Sequence, residues 1–136
     1  MSAGRYKSVL LVDDNEIDNL INQKMIEASG IAEKIFVNTS AKSALEFLNN
    51  LTVLAQSSRD LLPELLFLDI DMPLMDGYQF LDEFGKLDGA IKDKVKIIML
   101  TSSINPHDER TAKSYPFVKQ FLHKPLTKEM LVDLKV

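Results

Sequence analysis

The 136-residue chain has no cysteine. That excludes disulfides, thiolate metal sites and cysteine nucleophiles, and it fits a reducing compartment. Basic charge is not in excess either: 16 lysines and arginines face 20 aspartates and glutamates, for a formal net charge of −4. A general nucleic-acid binder usually carries a basic surplus, so no nucleic-acid partner is expected. No apolar run approaches the length of a membrane span. The opening "MSAGRYK" is short and polar, and the "SVLLV" that follows stops at once on Asp13 and Asp14, so no signal peptide is legible. There are only two histidines, His107 and His123, and they are not at metal-ligand spacing. Both read as surface or strand-end residues. A cytoplasmic protein is expected, with residues 1–6 as a loose terminus and no membrane partner.

What is present suits one soluble domain. Hydrophobic residues make up 46% and charged residues 26%, ordinary values for a globular protein of one core. Three apolar runs, "SVLLV" (8–12), "LLFL" (65–68) and "VKIIML" (95–100), are rich in branched residues and do not alternate with polar ones. Such runs suit strands covered on both faces, as in a parallel sheet. "KIFVN" (34–38) and "KQFLH" (119–123) are weaker strands, expected nearer the edges.

Helical patterns separate these strands. Ile17, Leu20, Ile21, Met25 and Ala28 recur at three- and four-residue steps and define one apolar face, with Gly30 as the stop. Ser40 caps a second helix carrying Ala44, Leu45 and Leu48 and running on through "LTVLA". Asp76 caps a third, with Phe80, Leu81 and Phe84. Asn105-Pro106 opens a fourth, followed by Asp108 and Glu109 in its first turn. Thr127 caps a short fifth, with Met130, Leu131 and Leu134. The polar stretch 55–64 reads as a surface loop. The order is β-α five times, which implies a parallel sheet with helices on both faces and right-handed crossovers.

In an open α/β sheet, ligands bind outside the carboxyl ends of the strands. The residues there are Asp13 and Asp14 after the first strand, Asp69 after the third, Thr101 and Ser102 after the fourth, and Lys124 after the fifth. Singly, each is an ordinary turn or strand-end residue. Jointly, they converge from distant parts of the chain. Three gathered carboxylates repel, so a hard divalent cation such as Mg²⁺ is the natural companion. A carboxylate beside that cation, a lysine and a hydroxyl can accept a phosphoryl group.

The segments "LLVDDN" (10–15), "LFLDIDMPLMDG" (66–77), "IIMLTSS" (97–103) and "FLHKPLT" (121–127) resemble, in order and spacing, the receiver domain of two-component response regulators. The resemblance runs from about Lys7 to the C-terminus, so a receiver domain over 7–136 is expected. It implies a flavodoxin-like (βα)5 fold with a central five-stranded parallel sheet of order 2-1-3-4-5. It implies transfer of a phosphoryl group from a histidine kinase or phosphotransfer protein to Asp69, with Mg²⁺ or Mn²⁺ required. By the same resemblance Asp14 is a direct metal ligand, Asp13 acts through metal-bound water, and Asp71 offers its backbone carbonyl. Thr101, with Ser102 after it, matches the hydroxyl position at the phosphoryl group. Lys124 matches the lysine that pairs with it, Pro125 a cis-proline turn, and Phe121 the aromatic switch. Phe121 has no phenolic hydroxyl, so a switch here would depend on packing. The Asp71 side chain adds a carboxylate beside the pocket, expected to strengthen metal binding and alter the phosphoryl lifetime.

Two other readings stand beside this one. "LFLDID" also resembles the nucleophile motif of haloacid-dehalogenase-type phosphatases, but that motif normally opens its domain, and here an acidic pair precedes it. A receiver-like scaffold that no longer accepts phosphate is the second, but such modules usually lose an acid, the threonine or the lysine. After Lys124 only one short helix remains. No output domain is expected, and action would be through binding an unknown downstream protein.

Overall fold

The computed structural model describes residues 5–54, 62–72, 74–87, 89–102 and 106–134. Five strands form one parallel sheet: β1 (Tyr6–Val12), β2 (Ala32–Asn38), β3 (Leu65–Asp69), β4 (Lys96–Thr101) and β5 (Val118–His123). Their order is β2-β1-β3-β4-β5, with parallel pairing throughout. This is the flavodoxin-like arrangement. Between and after the strands lie α1 (Glu16–Ser29), α2 (Ala41–Leu54), α3 (Gly77–Phe84), α4 (Gly89–Lys94), α5 (Pro106–Lys113) and α6 (Lys128–Val132).

The non-alternating strands are explained by two cores, one on each face of the sheet. Leu10, Val12, Leu66, Leu68, Ile97 and Met99 pack with Ala44 and Leu48 of α2, Phe80, Leu81 and Phe84 of α3, Ile91 of α4 and Ala112 of α5. The alternate residues Val9, Leu11, Leu65, Phe67, Ile98 and Leu100 pack with Ile26 of α1 and Leu131 of α6. Successive strand side chains point to opposite faces, so a strand covered twice must be apolar at every position. Each fully buried leucine or phenylalanine there contributes about 1.5–3 kcal/mol of transfer free energy. The edge strands β2 and β5 are only partly buried and keep their polar residues.

The caps follow local chemistry. Asp76 accepts from the Gln79 N–H while Gln79 accepts from the Asp76 N–H, a reciprocal capping box. Thr127 accepts from Met130 N–H, and Ser40 accepts from Ser43 N–H. Gly30 ends α1 at φ 68°, a left-handed conformation that costs glycine least. Residues 55–61 of the polar connection, and Asn105 before α5, lie outside the described residues.

Three features depart from the sequence reading. The strand β1 begins at Tyr6, inside the segment expected to be loose. Tyr6 is buried, and Arg5 donates to the carbonyls of Val132 and Leu134. An additional short helix, α4, stands between α3 and β4; one apolar anchor, Ile91, was too little periodicity to reveal it. Most consequential is α1, whose apolar stripe faces outward: Ile17, Leu20 and Ile21 are exposed. The buried residues are Asn19, Asn22 and Ile26. The first half of this helix borders polar strand ends, so its inward face needs hydrogen-bonding side chains.

Candidate functional site

Register decides which residues meet. Val12 of β1 stands opposite Leu68 of β3, so Asp13 comes abreast of Asp69. On the other side Asp69 pairs with Leu100, and Thr101 pairs with His123. The ladder continues past the strand ends: Asp13 N–H donates to Asn38 carbonyl at 3.3 Å, Ile70 N–H to Leu100 carbonyl at 3.1 Å, and Lys124 N–H to Thr101 carbonyl at 2.7 Å. These bonds fix the backbone that carries the acids and the lysine. The Lys124–Pro125 peptide is cis.

A cleft of about 240 Å³ opens at this edge, lined by Asp13, Asp14, Asn15, Asp18, Asp69, Asp71, Ser102 and Lys124. One carboxylate oxygen from each of Asp13, Asp14 and Asp69 lies within 4.8 Å of the others. Asp13 and Asp69 are buried and Asp14 is exposed. Lys124 Nζ lies 3.0 Å from Asp13 Oδ2, 2.9 Å from Asp18 Oδ2 and 3.2 Å from Asp69 Oδ1. Thr101 is fully buried at the end of β4. Phe121 packs from β5 against the core on the α2–α5 face and meets the His123 ring edge-on. Neither of these two lines the cleft.

Burial raises the Asp69 carboxyl from 3.8 to about 7; the Asp13 charge adds to this, while Lys124 and the Asp71 backbone N–H pull the other way. Two carboxylates at such a distance in a dry setting cannot both ionise cheaply. Burial also penalises the Lys124 ammonium, yet hydrogen bonds to Asp18 and Asp13 and the attraction of Asp69 outweigh it, so its pKa rises. The site is therefore short of positive charge. Its donors are hard carboxylate oxygens with one face open to the cleft, and that chemistry suits a small divalent cation.

The loop after Asp69 closes on itself. Gly77 N–H donates to Ile70 carbonyl at 2.8 Å. A Cβ on Gly77 would stand 2.9 Å from Ile70 Cα and 3.0 Å from the Asp69 carbonyl oxygen, so only glycine brings α3 this close to the strand end. Leu74 in the same loop has φ 69° and a fully exposed side chain. Just beyond, the Tyr78 hydroxyl donates to Asp108, whose carbonyl and carboxylate oxygens lie at 3.1 and 3.2 Å. This contact ties α3 to α5, and burial with the Asp108 charge pushes the phenol up to about 12.

Residues 9–134 match the family model described as the response regulator receiver domain. The chain belongs to the receiver domain family of two-component response regulators. Its fold superposes on a two-component response regulator of Cytophaga hutchinsonii with TM-score 0.83 and 32% identity, covering 93% of this chain and 91% of that one. A receiver protein of Dyadobacter fermentans shares the fold at TM-score 0.79 and 24% identity, covering 93% of each chain. The response regulator Rcp1 of a Synechocystis strain is 29% identical over 102 residues, which span 75% of this chain and 66% of that protein. The Mn²⁺-bound form of Rcp1 superposes with TM-score 0.70 at 25% identity, covering 92% and 86% of the two chains.

Four residues of α1 and its cap take part that the sequence alone does not place in the site, Asn15 reading there only as part of a turn with a helix cap. Asn15 Oδ1 accepts from Ile17 and Asp18 N–H at 2.9 and 3.0 Å, and Asn15 N–H donates to Asp13 Oδ1 at 2.9 Å. Asn19 Nδ2 donates to the Asp13 carbonyl at 2.7 Å. Leu126 N–H donates to Asn22 Oδ1 at 3.1 Å, which pins α1 to the turn after Pro125. Asp18 is the fourth, bound to Lys124. The signal was there: Asn15, Asp18, Asn19, Asn22 and Ile26 also recur at three- and four-residue steps, forming a polar stripe opposite the apolar one.

Proposed function

We propose that this receiver domain accepts one phosphoryl group on Asp69 from a phosphohistidine of a kinase or phosphotransfer protein, and that the phosphorylated form binds a downstream protein differently. The observation that carries the reading is Asp69 grouped with Asp13 and Asp14 and ion-paired to the Lys124 ammonium, which also holds Asp13, with Asp69 buried in the wall of an open cleft. An ionised Asp69 oxygen attacks phosphorus; the new O–P bond forms as the P–N bond to imidazole breaks, and the imidazole leaves to take a proton from solvent. Lys124 donates to the phosphoryl oxygens, and the Thr101 hydroxyl turns to donate to another. Asp14, Asp69 and the Asp71 carbonyl would hold Mg²⁺ or Mn²⁺ directly, with Asp13 acting through water. When bound, the ion supplies positive charge that offsets both the carboxylates and the phosphoryl oxygens.

The output is a population shift. The phosphoryl group adds about 1.5–2 negative charges, and it biases whichever conformation lets Thr101 and Lys124 reach it. Phe121 follows by repacking. Ile17, Leu20 and Ile21 of α1 are exposed, and Ile21 lines the recess beside Lys124; a protein donor reaching Asp69 would cover this apolar face. The domain acts as a switch or relay carrier and not as a turnover enzyme: it transfers the group to itself and later loses it to water.

Incubation with phosphoramidate and Mg²⁺, followed by intact mass, tests this. A gain of one phosphoryl group, abolished in Asp69→Asn, is expected. No gain on the wild type would favour a scaffold, and sustained hydrolysis of a phosphomonoester would favour a phosphatase.

A further inference from the structure

Resting on that reading, we infer that Asp18 is a positioning residue for the transfer: its carboxylate holds the third N–H of the Lys124 ammonium, so that another N–H stays aimed at the phosphoryl seat on Asp69. A lysine ammonium has exactly as many donors as it has carboxylates here, three. Nζ lies 2.9 Å from Asp18, 3.0 Å from Asp13 and 3.2 Å from Asp69. Two anchors alone define an axis about which the end of a flexible four-carbon stem can swing. A third anchor off that axis fixes the point.

The anchors differ in origin. Asp13 and Asp69 belong to strand ends, whereas Asp18 belongs to the first turn of α1. Its place is set by Asn15, which caps its N–H, and by Asn22, which ties the next turn to Leu126. Asp18 stands outside the three-acid group that could hold a cation, so its contact is with the lysine. A second recess of about 290 Å³ adjoins Lys124, lined by Asp18, Ile21, Asn22, Ser102, Lys124 and Pro125, and gives the side chain somewhere to go if the anchor is lost. The phosphoryl group takes over the Asp69 contact, and the Asp18 contact persists in both states.

Two variants separate position from charge. Asp18→Asn keeps an acceptor oxygen and removes the charge; Asp18→Ala removes both. With phosphoramidate and Mg²⁺ at saturation, at a temperature where all three proteins are folded by circular dichroism, Asp18→Ala is expected to lower the phosphorylation rate constant roughly tenfold, as loss of orientation does. The calorimetric Mg²⁺ dissociation constant should be the same in the two variants, which have both lost the Asp18 charge, and Asp18→Asn should recover most of the rate. Equal rates in all three proteins, or the same change in both variants, would overturn the inference. The ammonium ¹⁵N–¹H signal of Lys124 reads the contact without any chemistry. It should be sharp in the wild type and Asp18→Asn and lost to exchange in Asp18→Ala. An unchanged signal in Asp18→Ala overturns the positioning role even if the wild type takes up no phosphoryl group, a failure that would instead remove the proposed function.

Discussion

Replacing Asp69 with asparagine is expected to stabilise the metal-free protein. Asp69 carries a charge that the fold holds at a cost, because burial, then Asp13, raises its carboxyl from 3.8 to about 7. A folded-state acid with a raised pKa binds more protons than the unfolded chain between those two values. Stability therefore falls as pH rises through that window. At 1.36 kcal/mol per unit, the shift from 3.8 to about 7 costs on the order of 4 kcal/mol at pH 8, less than half of that at pH 5 and almost nothing below pH 3.8. The Asp69 side chain is only 3% exposed, so solvent screening removes little of this. Asparagine keeps the shape and an acceptor for the Asp71 N–H, and Lys124 retains Asp13 and Asp18. The expected gain is on the order of 2–4 kcal/mol at pH 8 with a chelator present, shrinking at pH 5. Urea unfolding followed by far-ultraviolet circular dichroism measures it at both pH values. Added Mg²⁺ should then raise the wild-type midpoint more than that of the variant. A variant that unfolds at the same or lower urea concentration at pH 8 without metal would refute the reasoning, since the carboxylates would then not be short of positive charge.

Asp71 is exposed and lines the cleft, so Asp71→Asn should weaken Mg²⁺ binding about two- to fivefold, the worth of one exposed charge pair, and alter the lifetime of the aspartyl phosphate; unchanged calorimetric affinity together with an unchanged dephosphorylation rate would sink this. Gly77→Ala should destabilise by about 1–3 kcal/mol, because its Cβ meets the Asp69–Ile70 backbone and the Met99 side chain, whereas Gly89→Ala, with nothing within 4 Å, serves as the near-neutral control; equal thermal midpoints for the two would contradict the crowding at the strand end. Leu74→Asn should be neutral or stabilising by up to about 1 kcal/mol, since asparagine tolerates positive φ better than leucine and the fully exposed side chain packs on nothing. A loss above 1 kcal/mol in chemical denaturation would show that Leu74 makes a contact after all.

By itself the sequence determined the five strands, their parallel pairing and the set of acids, hydroxyls and lysine at their ends. Strands covered on both faces must be apolar at every position, and the polar residue that stops each run marks its carboxyl end. Those are local signals, readable without knowing what packs where. The caps at Ser40, Asp76 and Thr127 and the stop at Gly30 were legible for the same reason. Tertiary structure decided which face of α1 turns inward. Periodicity defines two opposite stripes on that helix, one of Ile17, Leu20 and Ile21 and one of Asn19, Asn22 and Ile26. The usual preference for burying the apolar stripe loses here because α1 borders polar strand ends whose groups need partners. The same proximity brings Asp18 to Lys124 across 106 residues of chain. The charge balance at Asp69 also arises only on folding, because register sets Asp13 beside it, the sheet excludes water around it, and one ammonium is shared among three carboxylates.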